Sequence, residues 1–257
     1  MIVRGLRENV AHHNWFAVSV DFLIVVAGVF VGIQASNWNQ ARLDRAQGRE
    51  YRAMLIDDLE ANQQNLAMRK HYYEWVRSEA LKTQAALDGP ESALDAQFLV
   101  DAYQATQILP WSLTRNTYDQ IIAGGRISEL GNADLRDKVS NYYVGSEVTG
   151  DNLASVMPYR DILRRAMPYA AQHQIRTMCG EKITENSRGE AVMVLPEHCS
   201  IRLDPPTLRK AIQQVRDTPG LSLDLNRQLV DLDQKLVSVD VIMRRAGGLE
   251  RALSSSQ

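Results

Sequence analysis

Cys179 and Cys199 are the two cysteines in the chain, and thiols are the side chains here most able to do covalent chemistry. A disulfide between them closes a loop of about 20 residues, worth roughly 3 kcal/mol by constraint of the unfolded chain. The stretch they bracket has little apolar content of its own, so such a staple is well placed. It would also put the domain in an oxidising compartment. Two other arrangements compete. A zinc ion would draw on Cys179, His198, Cys199 and Glu181, although zinc sites favour paired C-x-x-C spacings and the adjacent His198-Cys199 chelates poorly. Two inert buried thiols are the third arrangement.

Other chemistry is thin. His12 and His13 precede an apolar run, and His71 and His173 fall on helical segments as surface or bundle-face residues. There is no G-x-S-x-G, no H-E-x-x-H and no P-loop. Asp57-Asp58 reads as a solvated helix face. Tyr72, Tyr73, Trp75 and Tyr142-Tyr143 read as core aromatics, with a ligand pocket between helices as the alternative. No catalytic, metal or cofactor-binding residue is assigned, no cofactor is implied, and the chain reads as non-enzymatic. A net charge of -2 and a pI near 6.2 leave no basic footprint for nucleic acid.

The elements that would carry these residues begin with an anchor. After a short tail over 1–14, residues 15–36 are apolar except for Asp21. About 20 apolar residues cross a bilayer, and Trp15 and Trp38 flank the run about 34 Å apart at the helical rise. Tryptophan settles at membrane interfaces because its ring is apolar and its N–H seeks a polar partner. A cleaved secretory signal is the competing reading, with Gly32, Ala35 and Ser36 as the small residues a peptidase would need.

Gly28, Gly32 and Ser36 form a row of small residues four apart, which lets two helix backbones approach closely. Asp21 is expensive at mid-bilayer and cheaper near the interface; it either sits among the headgroups or faces a partner helix. Arg4 and Arg7 precede the span, and Arg42, Arg45, Arg49 and Arg52 follow it. The positive-inside count therefore turns the C-terminal side toward the cytoplasm, against the disulfide, although long domains translocate regardless of flanking charge.

Residues 37–257 read as an extramembrane helical bundle. The apolar positions Leu55, Leu59, Leu66, Tyr73, Val76 and Ala80 recur in steps of three and four, so the membrane helix is expected to run on to Asp88-Gly89-Pro90. A short helix is expected over Ser92–Gln107, and another from an N-cap at Ser112 to Ala123, closed by Gly124-Gly125. The next starts at Gly131 or Asn132 and reaches Ile175, kinked or broken at Pro158 and Pro168. Residues 177–204 form an irregular excursion with a small hairpin around Ala191–Leu195. Pro205-Pro206 opens a helix to Asp217. The last helix carries a seam of Leu221, Leu225, Leu229, Leu232, Leu236, Val239 and Met243, ended by Gly247-Gly248 and the Ser254-Ser255-Ser256 tail. The fold class expected is all-α: one transmembrane helix continuing into an antiparallel bundle.

Two stretches carry a family resemblance. Phe22 through Asn39, followed by Arg42, resembles the start of a DUF6090-like family of uncharacterised bacterial single-pass membrane proteins. Asp21 before the apolar run and Asn37-Trp38-Asn39 at its end match that pattern. Thr117-Tyr118, Ala123-Gly124-Gly125-Arg126-Ile127, Leu135-Arg136 and Tyr142-Tyr143 are similar to a second family segment, which has one small residue before one glycine where this chain has two glycines. The resemblance covers about a third of the chain, implies a Gram-negative inner membrane and carries no activity. The expected function is a membrane-anchored helical protein that self-associates or serves as an accessory or scaffold subunit of an inner-membrane complex, with its C-terminal domain periplasmic. A periplasmic ligand-sensing bundle acting through a partner is the alternative.

Overall fold

A computed structural model describes residues 15–110, 113–185, 191–194, 196 and 199–255. The expectations placed on residues 1–14, Ser112, Leu195 and His198 lie outside them. Helix α1, Trp15–Asp88, is uninterrupted over 74 residues, about 110 Å at the helical rise. Nothing in it forbids a helix, since it contains no proline, and Gly89-Pro90 stops it.

Beyond α1 the chain folds back in short pieces. A 3-10 turn at Glu91–Ala93 leads to α2, Ala96–Gln104, whose N-cap Asp95 accepts from the amides of Gln97 and Phe98. The helix expected over Ser92–Gln107 is thus split, because Asp95 caps a new start. Helix α3, Asn116–Ala123, begins four residues after Ser112. A 3-10 turn at Ile127–Leu130 precedes α4, Ala133–Ala154, capped by Asn132 as expected. Of the two outcomes expected at Pro158 and Pro168, the stretch to Ile175 is broken rather than kinked, into three helices. Pro158 and Pro168 disfavour helical backbone at the residues before them, so α5 spans Pro158–Ala166 and α6 spans Tyr169–Cys179.

The excursion contains the hairpin. Strands β1, Lys182–Glu185, and β2, Ala191–Val194, pair antiparallel with Lys182 opposite Val194 and Glu185 opposite Ala191. Helix α7, Pro205–Arg216, is capped by Asp204, and α8, Leu221–Ser255, returns along α1. Gly247-Gly248 do not end α8, because packing against α1 and α4 outweighs the roughly 1 kcal/mol that each glycine costs a helix.

Helices α1 and α8 lie antiparallel. Their flanking residues pair as Gln84 with Asn226, Arg77 with Asp233, Lys70 with Asp240 and Gln63 with Glu250. Helix α4 packs on α8 and runs parallel to α1, giving a three-helix core. Helices α2, α5, α6 and α7 and the hairpin cover the end far from the apolar segment, while α3 packs on α1 nearer to it, where the Thr117 amide meets Asp58.

The seam of α8 differs from the one its leucines suggest. Its fully covered positions are Leu221, Leu225, Gln228, Leu232, Lys235, Val239, Ile242, Ala246, Leu249 and Leu253, while Leu229, Leu236 and Met243 sit half-buried beside them. Helix α1 likewise turns inward Arg52, Leu55, Leu59, Asn62, Leu66, Arg69, Tyr73, Val76, Ala80 and Thr83. Both sets alternate steps of three and four, so polar residues occupy positions a bundle reserves for leucine.

Candidate functional site

Among the described residues nothing covers the apolar segment of α1. Trp15 is 70% exposed, Trp38 67%, and Phe22, Leu23, Ile24, Val29, Phe30 and Ile33 are all exposed. One helix near the N terminus is therefore long and apolar enough to span a membrane. Gly28, Gly32 and Ser36 lie on one face of it, and a Cβ built on either glycine meets nothing. Asp21, seven residues before Gly28, falls on the same side of the helix. The fold thus leaves Asp21, Gly28, Gly32 and Ser36 open together, with Trp15 and Trp38 at the two ends.

Cys179 and Cys199 are bonded to each other, with their Cα atoms 5.3 Å apart. A zinc site through their thiolates and the pair of free thiols are both displaced by this bond. The staple fixes the end of α6 to the irregular chain that follows β2. Gln104 donates to the Cys179 carbonyl at 2.7 Å, and the Tyr72 hydroxyl donates to Glu181. Burial, reinforced by Glu181, pushes the Tyr72 hydroxyl far above its ordinary range, so it stays a donor.

Apart from Thr83, which bonds the Glu79 carbonyl of its own helix, the polar residues of the seams satisfy backbone groups that the fold buries at helix ends and connections. A helix leaves its last four carbonyls unpaired. Tyr73, fully buried, donates to the Leu153 carbonyl at the end of α4 (3.0 Å) and accepts from the Leu109 amide (3.1 Å). Lys235 donates to the Ser155 carbonyl at 2.8 Å, is neutralised by Asp231, and lies 5.6 Å from the Tyr73 ring centre. Gln228 reaches the Ala105 carbonyl and Tyr159 the Ala102 carbonyl, both at the end of α2. Arg69 donates to the carbonyls of Leu109 and Pro110 at 2.6 and 2.7 Å, and burial pushes its guanidinium down to about 10. Asn62 pairs both ways with the Thr114 backbone, at 2.9 Å each way. Asp58 accepts from the Thr117 amide, so Asp57-Asp58 is not wholly a solvated face.

The aromatic pairs are core, as their spacing suggests. Tyr73, Tyr142 and Tyr143 are at most 1% exposed, and Tyr118 stacks on Tyr143 with ring centres 4.2 Å apart. His71 and His173 are exposed. Sequence reasoning passed over Arg69, Gln228 and Lys235, and the signal for them was present. They sit in register with the apolar steps on either side. No family model, curated protein or solved structure matches the chain.

Proposed function

We propose that this chain is a non-enzymatic, membrane-anchored helical protein that self-associates or serves as an accessory or scaffold subunit of a bacterial inner-membrane complex. One observation carries the reading: α1 runs from an uncovered apolar segment into the core of the bundle without a break. A break-free helix transmits position and rotation, so contacts within the bilayer set the geometry of the domains outside it. The open row of Gly28, Gly32 and Ser36, with Asp21 on the same side, supplies the contact face. The Cys179–Cys199 bond supports a periplasmic domain, because disulfides persist in oxidising compartments. The family resemblance supports the inner membrane.

Native mass spectrometry and crosslinking in mild detergent test the reading, with oligomers or bound subunits expected. Monomers without partners would refute it. Asp21→Leu separates the two roles of the carboxylate: a changed oligomeric state assigns Asp21 to the contact, and unchanged assembly leaves it with the headgroups.

A second reading, a ligand-sensing bundle, is favoured by a groove of about 520 Å³ between α4 and α8, lined by Val144, Gly145, Arg245, Gly248 and Leu249. A melting shift with an anionic amphiphile would support it, and loss of that shift in Arg245→Gln would locate it.

A further inference from the structure

Trp38, Arg42, Arg45, Arg49 and Arg52 follow one another in steps of four and three, so they line a single face of α1 directly after the apolar segment. Farther along, the same face is buried as the bundle seam. Over 38–49 nothing of the kind covers it, and Arg42, Arg45 and Arg49 are exposed. No ion pair engages these three among the described residues.

The turn before α4 closes over the far end of this stripe. Gly48 permits the approach, because a Cβ there would fall inside the Glu129 carbonyl. The result is a concavity of about 490 Å³ lined by Asp44, Arg45, Arg49, Arg52, Ser128, Glu129 and Gly131. Two buried groups on its wall lack partners among the described residues. Arg52 is 8% exposed and donates through Nη1 to the Leu130 carbonyl, but its Nε finds no acceptor. Glu129 takes Arg126 on Oε1, and its Oε2 finds no donor. Asp44, the other carboxylate, is occupied by Gln40. The wall thus offers the unpaired guanidiniums of Arg45 and Arg49, a buried open donor on Arg52, and one open carboxylate oxygen on Glu129.

We propose that this concavity is a binding site for the headgroup of an anionic phospholipid, with Arg45 and Arg49 on the phosphate and Glu129 accepting from a headgroup hydroxyl. The proposal rests on the anchor reading, since the lipid comes from the adjacent bilayer. Arg45 lies seven residues past Trp38, about 10 Å along the axis, and the headgroup layer is roughly 5–8 Å thick. Helical side chains lean toward the N terminus, which here is toward the bilayer, so the guanidiniums reach back to the phosphates. Guanidinium is the better cation for this task because its planar fork meets a phosphate on two oxygens.

The test uses the full chain reconstituted in nanodiscs of equal phosphatidylcholine and phosphatidylglycerol, followed by mass analysis of the lipid retained on extraction into mild detergent. Phosphatidylglycerol is expected to be retained selectively. R45Q/R49Q should cut that selectivity by about 25-fold, about five-fold for each arginine near a charged surface. Circular dichroism of R45Q/R49Q checks folding, and R52K, which keeps the charge and loses the fork, should reduce selectivity while leaving a cation in place. Equal retention of the two lipids by the wild-type chain in a well-formed nanodisc overturns the site and leaves the anchor standing. Displacement of the lipid by millimolar inorganic phosphate assigns the pocket to a free anion and overturns the lipid source. Failure of the chain to enter nanodiscs overturns the anchor and the site together.

Discussion

Replacing Tyr73 by Phe isolates one hydroxyl in the centre of the bundle. The ring keeps its packing and its approach to Lys235, so no cavity opens and the effect is confined to hydrogen bonding. Two backbone groups lose their partner. The Leu109 amide donates to this hydroxyl at 3.1 Å, and the Leu153 carbonyl accepts from it at 3.0 Å. Both are buried, and leaving one buried polar group unsatisfied costs about 1–3 kcal/mol. The expected loss is about 2–4 kcal/mol, a large part of the 5–15 kcal/mol typical of a domain. For a domain of this size the melting temperature should fall by about 6–12 °C. The internal control is Tyr143→Phe. That hydroxyl is buried without a hydrogen-bond partner among the described residues, and burial holds it well above its ordinary pKa. Removing it should leave stability unchanged or slightly raised. Urea and thermal unfolding of the full chain in detergent, followed by circular dichroism, would measure both. Equal losses in the two variants, or a Tyr73→Phe loss below about 1 kcal/mol, would refute the view that seam hydroxyls act by satisfying buried backbone.

Three further outcomes follow from the same geometry. Gly48→Ala should destabilise by about 1–3 kcal/mol because its methyl meets the Glu129 backbone, whereas Gly248→Ala, where a Cβ meets nothing, should be neutral or stabilising by up to about 1 kcal/mol; paired melting curves compare them. Burial, with Asp101 nearby, raises the Glu79 carboxyl above its ordinary 4.5, against the pull of Lys82. The folded chain therefore holds this proton more tightly than the unfolded one. The stabilisation is complete below pH 4.5 and is lost as pH rises through the raised value. Glu79→Gln should flatten that fall in a pH series of unfolding midpoints and raise stability at neutral pH. Cys179→Ala with Cys199→Ala should cost about 3 kcal/mol, and nonreducing peptide mapping of the parent chain should recover the two cysteines in one linked fragment.

Much of the architecture was legible along the chain. The length of α1 followed from the absence of proline and the steady three–four spacing, the α4 start from Asn132, and the α7 start from Pro205-Pro206. The boundaries that escaped are local competitions. Asp95 capped a helix within a segment that also suited continuation, whereas at Pro158 and Pro168 the break was one of the two outcomes the sequence allowed and packing chose it over a kink. The seam of α8 escaped for a different reason. Leucine spacing alone fits two overlapping faces whose centres lie about 50° apart, and the buried one is chosen by what α1 and α4 present to it.

The sequence by itself determined the apolar segment, its tryptophan ends, the row of Asp21, Gly28, Gly32 and Ser36, and the helical class. Those properties depend on neighbours within a few turns of one helix. Only the tertiary structure decided that Lys235, Gln228 and Arg69 are interior residues, because their partners are carbonyls of distant connections that burial strips of water. It likewise decided that Arg45, Arg49 and Arg52 border a concavity. Four arginines after an apolar run are a charge count until a turn some 80 residues on closes over them, and Gly48 is what lets it close.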